Sequence, residues 1–451
     1  MIEYIALTNF LSFKDRTEIS LKATKEKPRG ALSENDWWTS IDGHKILKTA
    51  FLLGNNGSGK TNFLNSLSML NDFITNKRTS KSATRQKLVD LSFKFSPETI
   101  GKPSTIEIAF YTCGFRYEYL ISWDIDHICN ETLYRQDGKK QRHNVFIRTY
   151  DNHKELVTVE FPKKTTISTE AQNIIVQNVL KNTSVVSVYD SKNFECEDLR
   201  NLHNYFKYVD LWNVKNISLA SMITQRTNEQ LLKSILLCIL KDMGSTIRDY
   251  KVDTISIDIL PDEKAFLLNR MSEEEFNDFF PNGKRTQQNL QFGYRIKGQD
   301  ETSWLSENLE SEGTLEAIRL IILLFDSLWR DVPIAIDECA QSIHPKSLEY
   351  ILSFFLRSSE TTQVFFATQA LYLLKWEDLR RDTIRFFNKD KYTGCSSIEL
   401  INSRKQHKNT QIYDLYMNKT FGGETYIMDK TPWKEHLIKL SECMKAKEWK
   451  E

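Results

Sequence analysis

Four short clusters in this 451-residue chain combine residue types and spacings suited to phosphate chemistry. The first is Gly54-Asn55-Asn56-Gly57-Ser58-Gly59-Lys60-Thr61, with the spacing G-x-x-x-x-G-K-T. Glycines at 54, 57 and 59 let the backbone curl so that its N–H groups converge on phosphate oxygens, and the positive end of a helix starting at Lys60 adds to the attraction. Lys60 can reach the β- and γ-phosphates of ATP, and the Thr61 hydroxyl can hold Mg2+. The binding set is therefore taken as Gly54, Asn55, Asn56, Gly57, Ser58, Gly59, Lys60, Thr61 and Asn62, with ATP and Mg2+ as cofactors. The plain alternative is a chance glycine-rich turn. An apolar strand (Ala50-Phe51-Leu52-Leu53) leading in and an amphipathic helix leading out speak against it.

The second cluster ends the apolar run Val332-Pro333-Ile334-Ala335-Ile336 with two adjacent carboxylates, Asp337 and Glu338. In a phosphate site Asp337 belongs beside the metal, and Glu338 where it polarises an attacking water as general base. Read plainly, this is a buried strand ending in a solvated acidic turn. The third cluster, Glu310-Ser311-Glu312-Gly313-Thr314, opens a helix just before that strand. Ser311 and Gly313 there form a second anion site. One subunit has no need of it, because the P-loop already holds the phosphates; it makes sense if it faces the γ-phosphate bound by another subunit. The alternative is an ordinary N-cap, with Ser311 capping and Glu312 in the first turn. The fourth, Phe365-Phe366-Ala367-Thr368-Gln369, is an apolar strand whose terminal Gln369 either hydrogen-bonds the γ-phosphate or its water, or is only a strand end.

The elements that position these groups are predicted from periodicity. Short strands are expected at about 2–7, 17–21 and 46–53. A helix follows at about 60–74, with Phe63, Leu64, Leu67, Leu70 and Phe73 at helical spacing. Alternation at about 104–112, 115–123 and 144–149 predicts an antiparallel β region. Helical patterns appear at about 169–180, 199–208 and 228–243, with a strand at 252–259. A β/α pattern resumes with a strand at 289–296, a helix at 315–329, a strand at 333–336, a helix at 345–358 and a strand at 363–367. Four units are expected: 1–150 with the glycine-rich loop, a mainly helical insertion at 151–284, a second β/α lobe at 285–420, and a helical tail at 421–451. The run 77–87 is rich in lysine and arginine; it is either a DNA-backbone contact or a solvated loop.

Composition narrows the class. Hydrophobic residues make up 40% and aromatics 12%, enough apolar material for a sizeable core, which excludes disorder over most of the chain. Sixty-one basic residues nearly cancel sixty acidic ones, so there is no global pull toward nucleic acid or membrane. Seven scattered cysteines include no C-x-x-C pair, which predicts neither a zinc site nor a disulfide framework and suits a reducing cytoplasm. The first residues read as a strand rather than a signal peptide, and no apolar run is long enough to span a bilayer. A soluble, cytoplasmic protein is expected.

The order P-loop, insertion, S-x-G helix start, apolar-strand-Asp-Glu and polar strand end resembles the ABC-type ATPase heads of structural-maintenance-of-chromosomes, RecF-like and OLD-like proteins. More closely it resembles the bacterial AAA-class, ABC-like ATPases common in phage-defence operons. Leu7-Thr8-Asn9-Phe10-Leu11-Ser12-Phe13 is similar to the N-F-x-S-F start of that group, and Ser342-Ile343-His344-Pro345 and Tyr413-Asp414-Leu415-Tyr416 are similar to its later motifs. The resemblance covers about 1–125 and 285–420. It implies an α/β fold, a P-loop NTPase of the ABC-type head with a mixed β-sheet lobe and a helical lobe, carrying a mainly helical insertion. It also implies a homodimer with ATP sandwiched between two heads, each lending Ser311 and Gly313 to the other's P-loop, and open to higher oligomers. Glu338 would be the general base and Gln369 a second catalytic group. His344 either approaches the partner's nucleotide or caps the Pro345 helix.

Two departures stand out: Gln369 occupies a position where relatives usually have a Thr-His pair, and no glutamine of the usual lid loop is placed. A fused TOPRIM nuclease is not expected, since no second cluster of metal-binding carboxylates follows Glu338. The resemblance implies slow ATP hydrolysis serving as a nucleotide-dependent sensor or scaffold in anti-phage defence, with a separately encoded effector such as a nuclease or toxin. The competing readings are a RecF-like repair ATPase that binds DNA, and a small-molecule kinase, in which the S-x-G helix and Asp-Glu pair have no role.

Overall fold

The computed structural model describes residues 1–27, 30–75, 88–163, 165–209, 211–213, 218–224, 228–295, 301–338, 340–401 and 411–418. The basic run 77–87 and the tail 421–451 lie outside the described residues.

Two large sheets organise the chain, with strands numbered β1–β18 in chain order. The first has seven antiparallel strands in the order β10-β9-β8-β7-β6-β1-β2. These are β1 (Ile2–Thr8), β2 (Thr17–Ser20), β6 (Ser104–Thr112), β7 (Phe115–Trp123), β8 (Ile128–Gln136), β9 (His143–Asp151) and β10 (Leu156–Glu160). Alternation sets its inner face: along β7, Tyr117, Tyr119, Ile121 and Trp123 are buried and the residues between them are partly exposed.

The second sheet has the order β11-β15-β16-β5-β17-β18. It comprises β5 (Thr49–Gly54), β11 (Leu211–Asn213), β15 (Ile334–Asp337), β16 (Val364–Thr368), β17 (Ile384–Lys389) and β18 (Ser396–Leu400), all neighbours parallel except β17 and β18. β5, β15 and β16 are buried at every position, as parallel strands covered on both faces must be. Period-two alternation divides them between two cores. Phe51, Leu53 and Phe366 join the core under helices Glu229–Asp242, Glu312–Arg330 and Pro345–Ser358. Ala50, Leu52, Phe365 and Ala367 join the core shared by helix Lys60–Thr75 and the seven-stranded sheet. Each fully buried Leu or Phe contributes roughly 1.5–3 kcal/mol by transfer from water.

A two-stranded ribbon, β3 (Trp38–Ile41) with β4 (His44–Leu47), and a three-stranded sheet, β12 (Ile247–Asp258), β13 (Lys284–Arg295) and β14 (Thr302–Ser306), complete the β structure among the described residues.

The stretch 151–284, expected as one mainly helical insertion, is apportioned between neighbours. β10 extends the first sheet, and helices Thr169–Asn178, Val185–Ser191 and Glu197–Phe206 give Ala171, Ile175, Val185, Leu199, Leu202 and Phe206 to the core of the P-loop helix. Helices Leu219–Thr224 and Glu229–Asp242 join the other core, and β12 runs antiparallel to β13. The physical reason is that each of these short helices has one apolar face and must bury it against an existing sheet or helix. Among the described residues no helix is long and apolar enough to cross a membrane.

Candidate functional site

Register brings the sequence motifs to one edge of the parallel sheet. Thr368 lies opposite Leu53, and Ile336 opposite Phe366, so the chain leaves β5, β15 and β16 at the same carboxyl edge. That edge, where strand ends open onto loops, is where ligands bind in open α/β sheets. A cleft of about 210 Å³ is formed there by residues 56–62, Asp337, Glu338, Ala367, Thr368, Gln369 and Lys389.

The P-loop is shaped by close approach. Gly54 has φ +157°, and a Cβ there would lie 2.4 Å from the Phe387 carbonyl oxygen; Gly59 has φ +107°, and a Cβ there would meet Ser396 Oγ at 2.5 Å and Ser12 Oγ at 2.8 Å. Only glycine fits either place. Lys60 folds back over the loop, its Nζ donating to the carbonyls of Gly54 (2.6 Å) and Asn55 (2.9 Å). Burial lowers the pKa of its ammonium, opposed by the carboxylates of Asp337 and Glu338. A phosphate taking the place of those carbonyls would meet a charge already dehydrated.

Thr61 Oγ1 donates to Asp337 Oδ2 at 2.7 Å, although 276 positions separate the two residues. A hydroxyl and a carboxylate oxygen side by side are the hard donor set that suits Mg2+. Glu338 follows with φ +51°, left-handed backbone that a non-glycine residue rarely adopts. This turns the chain sharply at the strand end and leaves the carboxylate exposed on the cleft. Gln369 Nε2 donates to Asn56 Oδ1, tying the end of β16 to the P-loop.

Ser311, Gly313 and His344 lie together elsewhere. They line a separate cleft of about 370 Å³, walled by residues 243–247 and by Ser342, Ile343 and Ser347. Ser311 is the N-cap of helix Glu312–Arg330, its Oγ accepting from Thr314 N at 3.2 Å. Gly313 has an intramolecular reason as well: a Cβ there would lie 2.5 Å from the Ser342 carbonyl oxygen. His344 occupies the N-cap position of helix Pro345–Ser358, but its side chain makes no cap hydrogen bond and is exposed.

Several contributors escaped the sequence reading. Lys389, at the end of β17, adds a second cation to the P-loop cleft. Ser12 Oγ accepts from Asn62 Nδ2 at 2.9 Å, and its carbonyl accepts from Ser396 N at 2.7 Å, bracing the back of the loop. Glu316, 1% exposed, accepts from the backbone N–H groups of Ala340 (2.7 Å), Gln341 (3.3 Å) and Ser342 (2.9 Å). It thereby ties the Ser311 helix to the loop after Glu338. The only sequence signal was the N-F-x-S-F start: Phe10 and Phe13 are fully buried, and Asn9 donates to the carbonyls of Thr99 (3.0 Å), Lys102 (3.0 Å) and Pro103 (3.2 Å).

Several solved structures are similar to this chain. An SMC head bound to the C-winged helix domain of ScpA aligns at TM-score 0.44 with 12% identity, covering 89% of this chain and 99% of that one. The SMC head domain from Thermotoga maritima aligns at 0.42 with 12% identity, covering 89% and 98%. The recombination mediator RecF with ATP aligns at 0.34 with 13% identity, covering 88% and 97%. Among curated proteins none matches. Residues 50–375, well over half of the chain and including the P-loop, Ser311 and Glu338, match the family described as "AAA domain, putative AbiEii toxin, Type IV TA system". The chain belongs to that family and is a P-loop ATPase.

Proposed function

We propose that the chain hydrolyses ATP slowly between two copies of itself and uses the nucleotide state as a sensor or scaffold in anti-phage defence, beside a separately encoded effector. The observation that carries this reading is the separation of two clefts on one chain. One holds Lys60, Thr61, Asp337 and Glu338; the other holds Ser311, Gly313 and His344. A single nucleotide cannot use both unless the second is supplied by another copy.

In this reading the P-loop amides and Lys60 bind the triphosphate, and Thr61 and Asp337 hold Mg2+, which when bound offsets phosphate charge. Glu338 takes the proton of the attacking water, and Gln369 with Asn56 orients the γ-phosphate side of the cleft. The partner's Ser311 helix brings its positive end to the γ-phosphate. The family description names a type IV TA system, which supports a function shared with a second protein. The free cysteines Cys113, Cys129, Cys196, Cys238 and Cys395 fit a cytoplasmic setting.

The testing experiment is Glu338→Gln, which keeps the shape and removes the base. ATP should remain bound, turnover should fall on the order of 10²–10⁴-fold, and light scattering should show a dimer that forms with ATP and not without it. A variant that turns over at the wild-type rate would show that the water is activated elsewhere, and one that stays monomeric at saturating ATP would sink the sandwich.

A further inference from the structure

The turn joining β7 to β8, outside the nucleotide cleft, brings together three side chains of different metal-ligand chemistry. Asp124, His127 and Cys129 each offer one donor atom, and these atoms all lie within 4.8 Å of one another. Cys129 Sγ stands 3.7 Å from Asp124 Oδ2 and 3.8 Å from His127 Nε2. With Zn–S near 2.3 Å and Zn–N and Zn–O about 2.0–2.2 Å, the edges of a tetrahedral zinc site are about 3.3–3.6 Å. The two edges from Cys129 Sγ are within a few tenths of an ångström of that, and the third, between Asp124 and His127, lies within 4.8 Å and closes by a small rotation of the side chains.

The turn's own hydrogen bonds leave the required atoms in place. Asp124 Oδ1 accepts from the backbone N–H groups of Asp126 (2.8 Å) and His127 (2.9 Å), an Asx turn that fixes the loop and leaves Oδ2 toward the thiol. His127 Nδ1 lies 3.1 Å from Asp124 Oδ1, so the carboxylate orients the ring while Nε2 faces Cys129. A ligating histidine commonly has its second nitrogen held by a carboxylate in this way. The imidazole is buried, with its ring 4.2 Å from that of Tyr150.

The backbone around the turn is clamped from both sides. Leu88 N donates to the Ile125 carbonyl at 2.7 Å and Ile128 N to the Lys181 carbonyl at 2.9 Å, while Arg148 donates to the carbonyls of Ile128 and Lys181. An Asx turn alone accounts for Asp124. It does not account for a sulfur that stands within 4 Å of both the carboxylate's other oxygen and an imidazole nitrogen.

We propose that Asp124 Oδ2, His127 Nε2 and Cys129 Sγ form a site for a zinc-class divalent cation, with the fourth position open to solvent. Sulfur, imidazole and carboxylate together select a borderline-soft metal over Mg2+ or Ca2+. The bound ion locks the β7–β8 turn onto the segments at Leu88 and Lys181, a structural task independent of ATP.

The test uses the full-length protein, purified without a histidine tag and stripped of metal. Zn2+ is titrated against a chromophoric chelator, and Co2+ serves as the spectroscopic probe. The proposal expects one equivalent bound, a thiolate-to-cobalt charge-transfer band, and a melting temperature raised by at least about 2 °C. Cys129→Ser should abolish the band and weaken Zn2+ binding at least about tenfold, whereas Cys113→Ser, at an exposed cysteine, should change neither. Asp124→Asn keeps an oxygen for the turn and should also weaken binding, which guards against misfolding of any single variant. ATP affinity should be unchanged in every variant. Absence of the band in the wild type, or equal Zn2+ affinity in folded Cys129→Ser, overturns the site.

Discussion

The two clefts differ in how far one chain completes them. In the P-loop cleft three of the groups predicted to touch phosphate, water or metal already have an internal partner: Lys60 on the Gly54 and Asn55 carbonyls, Thr61 on Asp337, Gln369 on Asn56. Such groups are held near their working geometry and exchange one partner for another when a ligand arrives, with little ordering to offset. The Ser311 cleft is wider, about 370 Å³ against about 210 Å³. It offers the start of a helix whose one side-chain cap is Ser311, with an exposed histidine beside it. Under the proposed function, the first region binds a nucleotide by itself, while the second supplies half of a site shared between two copies. Glu316 joins them, a buried carboxylate on the Ser311 helix that holds the loop following Glu338.

The largest effect that this contrast predicts is at Lys60. Lys60→Ala removes the cation of the self-sufficient cleft, and each charge-assisted hydrogen bond lost to phosphate is worth about 1.5–3 kcal/mol. ATP affinity should drop by roughly 10- to 150-fold or more per bond, with the melting temperature in the absence of nucleotide near that of the wild type. Calorimetric titration beside thermal melting checks both. An unchanged affinity would mean that the cleft does not bind the triphosphate at all.

A smaller and more selective effect is expected in the other cleft. Ser311→Tyr fills it with a ring and removes the cap on Thr314, which costs about 1 kcal/mol of stability. Binding of ATP to the monomer should stay within about threefold of wild type, since no atom of the P-loop cleft is touched. Turnover should fall at least about tenfold, and the ATP-dependent dimer should be lost. If instead ATP affinity collapsed while dimerisation persisted, the two clefts would not be halves of one site.

The parts legible in the sequence were those in which chemistry is written locally. The P-loop spacing, the Asp337-Glu338 pair and the helix at 345–358, with proline at its first turn, coincide in residues with what the structure contains. Illegible were contacts between residues far apart in the chain. Lys389 reaches the cleft only because β17 pairs in parallel beside β5, a neighbour relation that no local pattern encodes. Glu316 looks like a helical surface glutamate until the loop after β15 folds over it. The stretch 151–284 looked self-contained because its helices are real, but their apolar faces belong to two different cores. The Asp124, His127 and Cys129 cluster carries no paired-cysteine spacing, and its three unlike side chains meet only where the β7–β8 turn runs into β8.

The smallest effect, and the sharpest test of the P-loop cleft's chemistry, is at Gln369. Its amide bonds to Asn56 and lines the cleft, so it can position a group but brings no positive charge to the γ-phosphate as charge develops there. The wild-type enzyme is therefore expected to turn over slowly, as suits a switch that holds ATP until a trigger arrives. Gln369→His should raise the basal rate by roughly tenfold or less. The pH profile gives the decisive sign. An imidazole titrates near 6.5 in the absence of perturbation, so a gain that depends on the cation should grow as pH falls from about 8 toward 6, relative to wild type at each pH. A gain independent of pH would point to hydrogen bonding alone. A folded histidine variant that is no faster at any pH would leave Gln369 as a brace for Asn56, with hydrolysis limited by how often two heads meet rather than by charge in the cleft.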